Sequence, residues 1–181
     1  MAPEEPVIDY GLNEDRKCSD LYRRGYRSGP VKRTLSWAVP LLDHYRTVMD
    51  FGCGLATSGD YLDFQHYVGV DIDRGQIDRL LRENTDDRCT FARGDIADQL
   101  ELDACDLGLC IGVLQHIPTD RIDAALDTIA SLSTQQVISV CPHSSGHGLH
   151  LTVKPADWWE QRLQDHLQIV HAGDNRFVCR S

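Results

Sequence analysis

The chain has 181 residues, 41% apolar and 25% charged, enough for one α/β domain with a sizeable core and too few for two. A formal net charge of −10 repels a nucleic-acid backbone over most of the surface, and no apolar run approaches the ~20 residues of a membrane span. Seven cysteines, an odd number with no C-x-x-C pair, read as reduced thiols, and the acidic MAPEEPVIDY start has no apolar segment of the secretory kind, so we expect a cytoplasmic protein.

In chain order, residues 1–13 read as an irregular arm. Helices are expected over Glu14–Tyr26 and Val31–His44, separated by the breaker Ser28-Gly29-Pro30. Arg16, Lys17, Arg23, Arg24, Arg27, Lys32 and Arg33 crowd there against Asp20 alone, which either meets an anionic substrate or forms a solvated face balancing the acidic remainder. Tyr22 and Tyr26 share a helical face with Cys18; they line a substrate entrance or pack on the core. A first strand, Thr47–Asp50, runs into the glycine turn Gly52-Cys53-Gly54, and a second, Tyr67–Asp71, ends in Asp71-Ile72-Asp73. Arg74–Asn84 carries Ile77, Leu80 and Leu81 at helical spacing. A short strand Cys89–Ala92 leads to Gly94-Asp95-Ile96, where Asp95 also suits an N-cap. Cys105–Ile111 is unbroken in its apolar character, as a strand buried on both faces of a parallel sheet is. A helix is expected from about Pro118, a strand over Gln136–Cys141, and a helix from Pro155 bearing Trp158 and Trp159. Leu167–His171 and Asn175–Cys179, flanking Ala-Gly-Asp, read as a hairpin that completes the fold.

A strand, a tight glycine turn and a helix start make a nucleotide-handling corner, because Gly52 and Gly54 admit both the sharp turn and a close ligand. The acid at the tip of the second strand, Asp71, can accept from both hydroxyls of a ribose. NAD and S-adenosylmethionine both fit that pattern. Asp50 separates them: it would repel a pyrophosphate but welcomes the ammonium of the sulfonium cofactor.

The series D-F-G-C-G-L-A, V-G-V-D-I-D, Ala92-Arg-Gly-Asp95-Ile96 and Asp106 through His116-Ile-Pro resembles the class I S-adenosylmethionine-dependent methyltransferases in order and spacing, over roughly Thr47 to Pro142. The resemblance implies a single Rossmann-like, doubly wound sheet of seven strands, mostly parallel with a C-terminal antiparallel hairpin and helices on both faces. Residues 1–45 would form an arm and lid-like helices over a core of 46–181. The cofactor would be S-adenosylmethionine, with S-adenosylhomocysteine as product. Asp50, Gly52, Cys53 and Gly54 would lie at its methionine end, and Asp71 and Ile72 at the ribose. Asp95 would accept from the adenine amino group with Ile96 against the ring, and Cys110 and Ile111 would pass near the sulfur. His116 matches a residue the family uses structurally or on the cofactor side. Two departures are Ala56, where many members have a third glycine, and Gln115, where many have glutamate.

A hydroxyl or ammonium acceptor must lose a proton, so a general base is expected, and histidine suits neutral pH. The loop Pro142 to Pro155 follows the fifth strand, where an open α/β sheet binds ligands. His143 and His150 are the candidate bases there, with His147 and Trp158 beside Tyr22 and Tyr26 as candidate acceptor contacts. His143, His147 and His150 could alternatively converge on a transition metal, or be polar loop residues without a role; no metal is assigned. The absence of N/D-P-P-[YF] after the fourth strand, where Cys110-Ile-Gly-Val stands, argues against amino-methylation of nucleobases. With no appended recognition domain in 181 residues, a small or medium-sized acceptor is expected, an anionic sugar or nucleotide among the options. A nucleic acid or protein acceptor, or a non-catalytic cofactor-binding scaffold, are the alternatives.

Overall fold

The computed structural model describes residues 29–144 and 148–181. The expected helix Glu14–Tyr26, with Tyr22 and Tyr26, lies outside them, as does His147.

Seven strands form one sheet in the order β3-β2-β1-β4-β5-β7-β6. They are β1 (Thr47–Phe51), β2 (His66–Asp71), β3 (Cys89–Arg93), β4 (Cys105–Ile111), β5 (Ser133–Ser139), β6 (Gln168–Gly173) and β7 (Arg176–Arg180). β1 to β5 pair in parallel, and β7 runs antiparallel between β5 and β6. The chain reverses its direction across the sheet at β1 and β4, so the crevice at their carboxyl ends is where a doubly wound sheet binds ligands.

The strands bury both faces by alternation. Val48, Tyr67, Leu107, Leu109, Val137 and Val178 point to one side, beneath α1 (Gly29–Ala38) with Val31 and Leu35. Met49, Phe51, Val70, Cys110, Ile138 and Phe177 point to the other. That side is covered by α3 (Ile122–Leu132), through Ile122, Ala125, Leu126 and Ile129, and by α4 (Ala156–Gln164), through Trp159 and Leu163. Between β2 and β3 runs α2 (Arg74–Glu83), capped by Asp73, whose Oδ1 accepts from the Gln76 N–H at 3.1 Å.

Three boundaries differ from expectation. α1 stops at Ala38 and gives way to a 3-10 turn over Val39–Leu41, because Pro40 cannot donate into the helix and crowds the preceding turn. β5 begins at Ser133, three residues before the apolar pattern suggests. Its polar start is tolerated because partners take up most of its polar atoms: Gln135 Oε1 accepts from the Asp43 N–H at 3.1 Å, and Gln136 Nε2 donates to Ser133 O and to Ser181 Oγ, each at 2.7 Å, while Gln136 Oε1 has no partner among the described residues. The hairpin turns on Asp174 and Asn175, with φ of 49° and 58°, so it is a two-residue turn with both central residues left-handed.

Ala56 sits at φ 55°, ψ 27°, ahead of the 3-10 turn Thr57–Tyr61. This is the left-handed region, which disfavours any Cβ and explains the glycine common there. We expect Ala56→Gly to stabilise the protein by about 0.5–1 kcal/mol, the relief of strain exceeding the added unfolded-state entropy. Urea denaturation with an unchanged m-value measures it, and a lowered midpoint would contradict the assigned backbone.

Candidate functional site

A cavity of about 360 Å³ opens at the carboxyl ends of β1, β2 and β4. Of the expected cofactor residues, Asp50, Gly52, Cys53, Asp71, Ile72, Asp95, Ile96, Ile111 and His116 line it. Gly54 and Cys110 stand behind the lining. Cys110, on β4, is wholly buried, and Gly54 acts through its N–H, donated to Asp71 Oδ2 at 2.8 Å.

The floor is shaped by hydrogen bonds local to the glycine turn. The N–H groups of Gly52 and Cys53 both donate to Val70 O, at 2.8 and 2.9 Å. Gly52 has φ +79°, and a Cβ there would stand 2.5 Å from Val113 Cγ2. The turn therefore lies flat against β2 and the β4 loop, which brings the ends of β1 and β2 together at Asp50 and Asp71.

Both carboxylates are buried, Asp50 at 3% and Asp71 at 6% exposure. The Tyr67 hydroxyl donates to Asp50 Oδ2 at 2.6 Å, and Ser58 also donates to that carboxylate. Burial nonetheless pushes the Asp50 pKa up to about 6, with the Asp71 charge adding to it. Asp71 Oδ1 accepts from the Asp73 N–H at 2.8 Å, and the Ile72 backbone also hydrogen-bonds the carboxylate, yet burial raises its pKa as well. Among the described residues, neither acid has a cationic partner. Asp73, the second acid of the V-G-V-D-I-D run, turns away to cap α2.

Asp95 is bound on both oxygens: Oδ1 accepts from the Ala97 N–H at 2.9 Å and Oδ2 from Arg121 Nη1 at 2.8 Å. Arg121, which also reaches Asp98 Oδ1 at 2.6 Å, lines the cavity. Sequence reasoning passed over it because it lies in a 3-10 turn before α3, far from any motif. Gly112, Val113, Gln115 and Ser139 line the cavity too. Gln115 Oε1 accepts from the Cys141 N–H at 3.4 Å, so the residue that departs from the family's glutamate joins the β4 loop to the end of β5.

The loop after β5 contributes Leu149 and His150 to the lining, alongside His116. His116 Nδ1 lies 2.9 Å from Leu149 O, and a carbonyl only accepts, so Nδ1 carries the proton and Nε2 holds the lone pair. Burial lowers the His116 pKa below its ordinary value. His150 is fixed in the same tautomer by His143 O, 2.5 Å from its Nδ1. The two imidazoles meet edge to face, centroids 5.0 Å apart. His143 itself is exposed and outside the lining, contributing its carbonyl only. Trp158 is also outside the lining: it lies against Trp159, with Lys154 Nζ and Arg162 Cζ 5.7 and 5.3 Å from its ring centre. Trp159 is the fully buried member of the pair. Among the described residues, no group of three or more His, Cys, Asp or Glu could hold a metal ion.

Residues 49–136 match the sequence profile of a family described as a methyltransferase domain. Solved structures share the fold at low identity. A chain of the complex between the Haloferax volcanii Trm112 methyltransferase activator and the putative methyltransferase superposes with a TM-score of 0.67 at 16% identity, over 87% of this chain and 75% of that one. Magnesium protoporphyrin IX methyltransferase from Synechocystis PCC 6803, with bound SAH, gives 0.63 at 20% over 97% and 91%. N-methyltransferase NodS from Bradyrhizobium japonicum WM9, in complex with S-adenosylhomocysteine, gives 0.65 at 15% over 93% and 91%. No curated protein sequence matches the chain. The chain thus shares the class I S-adenosylmethionine-dependent methyltransferase fold, with a methyltransferase-domain profile matched over residues 49–136.

Asp50 links this site to stability. Its folded pKa of about 6 exceeds the unfolded 3.8, so folding takes up a proton between those values. The stabilisation is complete below 3.8 and is lost as pH rises through about 6. By this group alone, raising the pH from 4 to 8 should lower stability by up to about 3 kcal/mol. Asp50→Asn should lack that loss and be more stable than the parent at pH 8. Urea denaturation at both pH values measures the difference, and parallel behaviour of the two proteins would disprove a buried, uncompensated charge.

Proposed function

We propose that this domain binds S-adenosylmethionine in the cavity and transfers its methyl group to an oxygen or nitrogen of a small or medium-sized acceptor. An anionic sugar or nucleotide-like compound is among the candidates. The observation that carries this reading is the pair Asp50 and Asp71. Two adjacent buried carboxylates, with no cationic partner among the described residues, invite a ligand that brings a positive charge and hydroxyl donors together. A methionine ammonium and a ribose supply both, whereas a pyrophosphate would add negative charge. Asp95 and Ile96 would receive the adenine, and Gly52, Cys53 and Gly54 would lie along the methionine end. Ile111 would bound the reacting centre, with Cys110 buried behind it. When bound, the cofactor supplies a methyl already activated by a sulfonium.

The chain's own work is then positioning, worth roughly 7–11 kcal/mol when geometry is good, and removal of the acceptor's proton. His150 is our candidate base, because it lines the cavity and the His143 carbonyl holds a proton on its Nδ1, which leaves Nε2 as the atom to take the acceptor's proton. His143 would act through the carbonyl that fixes the His150 tautomer. Tyr22, Tyr26, His147 and Trp158 remain proposed acceptor contacts, Trp158 by way of movement in its helix. Residues 14–33 are proposed as a lid, a reading favoured by Pro30 and Val31, which lie at the cavity. A cytoplasmic setting goes with the buried, unpaired thiols of Cys53, Cys105, Cys110 and Cys179. No described helix is long and apolar enough to cross a membrane. A second reading, methylation of a macromolecule together with a partner chain, draws on the Haloferax neighbour, which was solved with an activator protein.

Calorimetry should show binding of S-adenosylhomocysteine and none of NAD; the reverse result overturns the proposal. Asp71→Asn keeps the shape of the carboxylate and should weaken S-adenosylhomocysteine at least tenfold, since charge-assisted hydrogen bonds are worth about 1.5–3 kcal/mol each. An unchanged affinity would remove Asp71 from the ribose site.

On an acceptor found by screening with methyl-labelled cofactor, His150→Ala should lower turnover by roughly 10²–10⁴ with little change in cofactor affinity. Full turnover would dismiss His150 as base, and lost cofactor binding would mark it as structural.

A further inference from the structure

Tyr67 stands near the start of β2, at the end of the sheet away from the cavity, and it does not line the site. Its ring is 1% exposed, held by Phe64 and Phe91 at centroid distances of 5.5 and 6.3 Å. From there its hydroxyl crosses to the adjacent strand and donates to Asp50 Oδ2 at 2.6 Å. A tyrosine hydroxyl has one proton to give, and this one is committed to Asp50. The carboxylate has about four acceptor positions. Tyr67 and Ser58 occupy the protein side of it, which leaves the remainder for whatever enters the cavity.

We propose that Tyr67 is a positioning residue for cofactor capture: its buried hydroxyl aims the Asp50 carboxylate at the cavity and keeps it ionised for the ligand's ammonium. The inference rests on the function proposed above, in which Asp50 receives that ammonium. Burial alone favours the neutral acid, and a neutral Asp50 has no charge to offer a cation. A hydrogen bond donated to the ionised form opposes that tendency, as the lowering contributions of Tyr67 and Ser58 do here.

The groups facing Asp50 are few. Cys53 in the glycine turn and Cys110 on β4 feel its charge, as does Tyr67, and burial raises the pKa of all three. They stay neutral across the range in which the acid titrates. Asp71 on β2 is the other ionisable neighbour, itself raised. It contacts Gly54 and Asp73 but not Tyr67, so a change at Tyr67 reaches Asp50 and leaves the Asp71 contacts in place.

The test is the pH dependence of S-adenosylhomocysteine affinity in the full chain, by calorimetry from pH 5 to 8.5. In the wild type, affinity should fall by up to tenfold per unit once the pH drops below the Asp50 midpoint, near 6. Tyr67→Phe keeps the ring and its packing, so melting temperature serves as a check on the fold. Its midpoint should move up by about one unit, giving roughly fivefold weaker binding at pH 6 and a loss of under about threefold at pH 8.5. In an Asp50→Asn background, Tyr67→Phe should change the affinity by less than about twofold.

A uniform loss at every pH, an unmoved midpoint, or a full additional loss in the Asp50→Asn background would each overturn the proposal. So would a pH-independent wild-type affinity. Should Tyr67→Phe fail to fold, the wild-type protein labelled with ¹³C at tyrosine Cζ decides the matter. The Tyr67 resonance should titrate with the Asp50 midpoint, and a flat response would refute the link. A wild type that binds no S-adenosylhomocysteine at any pH would reject the functional reading itself, an outcome distinct from all of these.

Discussion

Two negative charges are held out of water at the meeting point of β1 and β2, and much of the site follows from how they are held. Asp71 is tied down by the N–H groups of Gly54 and Asp73. The same strand end takes the Gly52 and Cys53 N–H groups on Val70 O. The glycine turn is therefore fastened to β2 as firmly as to β1, from which it grows. Asp50 is held in a different way, by side-chain hydroxyls from Tyr67 and Ser58. One acid is fixed by backbone and the other by side chains, and among the described residues neither is neutralised by a cation. Isolated charges in a core are strongly disfavoured. Here the surrounding sheet, with both faces filled by aliphatic side chains, supplies the rigidity that keeps them in place.

That arrangement explains why part of the chain could be read directly. The glycine turn, the acids at the ends of β1 and β2, and the apolar run of β4 are local constraints. Each is written in consecutive residues, because the backbone conformation and the burial they serve are local too. Arg121, Gln115 and the polar start of β5 follow a different rule. Gln135 is satisfied by Asp43, 92 positions away, and Arg121 by Asp95, 26 positions away. No periodicity announces such pairs, since the partner defines the role and folding brings the partner. Position within a helix was similarly undetermined for the two tryptophans. Adjacent residues on α4 must diverge, but only packing decides that Trp159 enters the core and Trp158 lies under Lys154 and Arg162.

The wall opposite the acids is built from the loop after β5. Leu151 and Thr152 both donate their N–H groups to Gln115 O, at 2.8 and 3.1 Å, and Thr152 Oγ1 donates to Ile117 O at 2.7 Å. Leu149 O receives His116 Nδ1. Residues 149–152 are thereby strapped to residues 115–117 through backbone groups on at least one side of every bond. Such a strap tolerates changes of side chain on its outer face, where Leu151 and Val153 are exposed. It holds position at its inner face, where Leu149 and His150 look into the cavity.

Gln115 is the hinge of this wall, and its identity fits the electrostatics of the opposite side. The cavity already carries Asp50 and Asp71, each with a pKa raised by burial. A glutamate at 115, itself only 4% exposed, would bring a third carboxylate into the same poorly solvated space. It would also face the Cys141 N–H with a charge that one backbone donor at 3.4 Å cannot offset. The amide keeps the acceptor oxygen that Cys141 needs and adds no charge. Negative potential then stays concentrated at the floor, where a cation would bind. In the function proposed above, this wall of amide and imidazole would meet the acceptor, adding no negative charge to compete for the ligand's positive end.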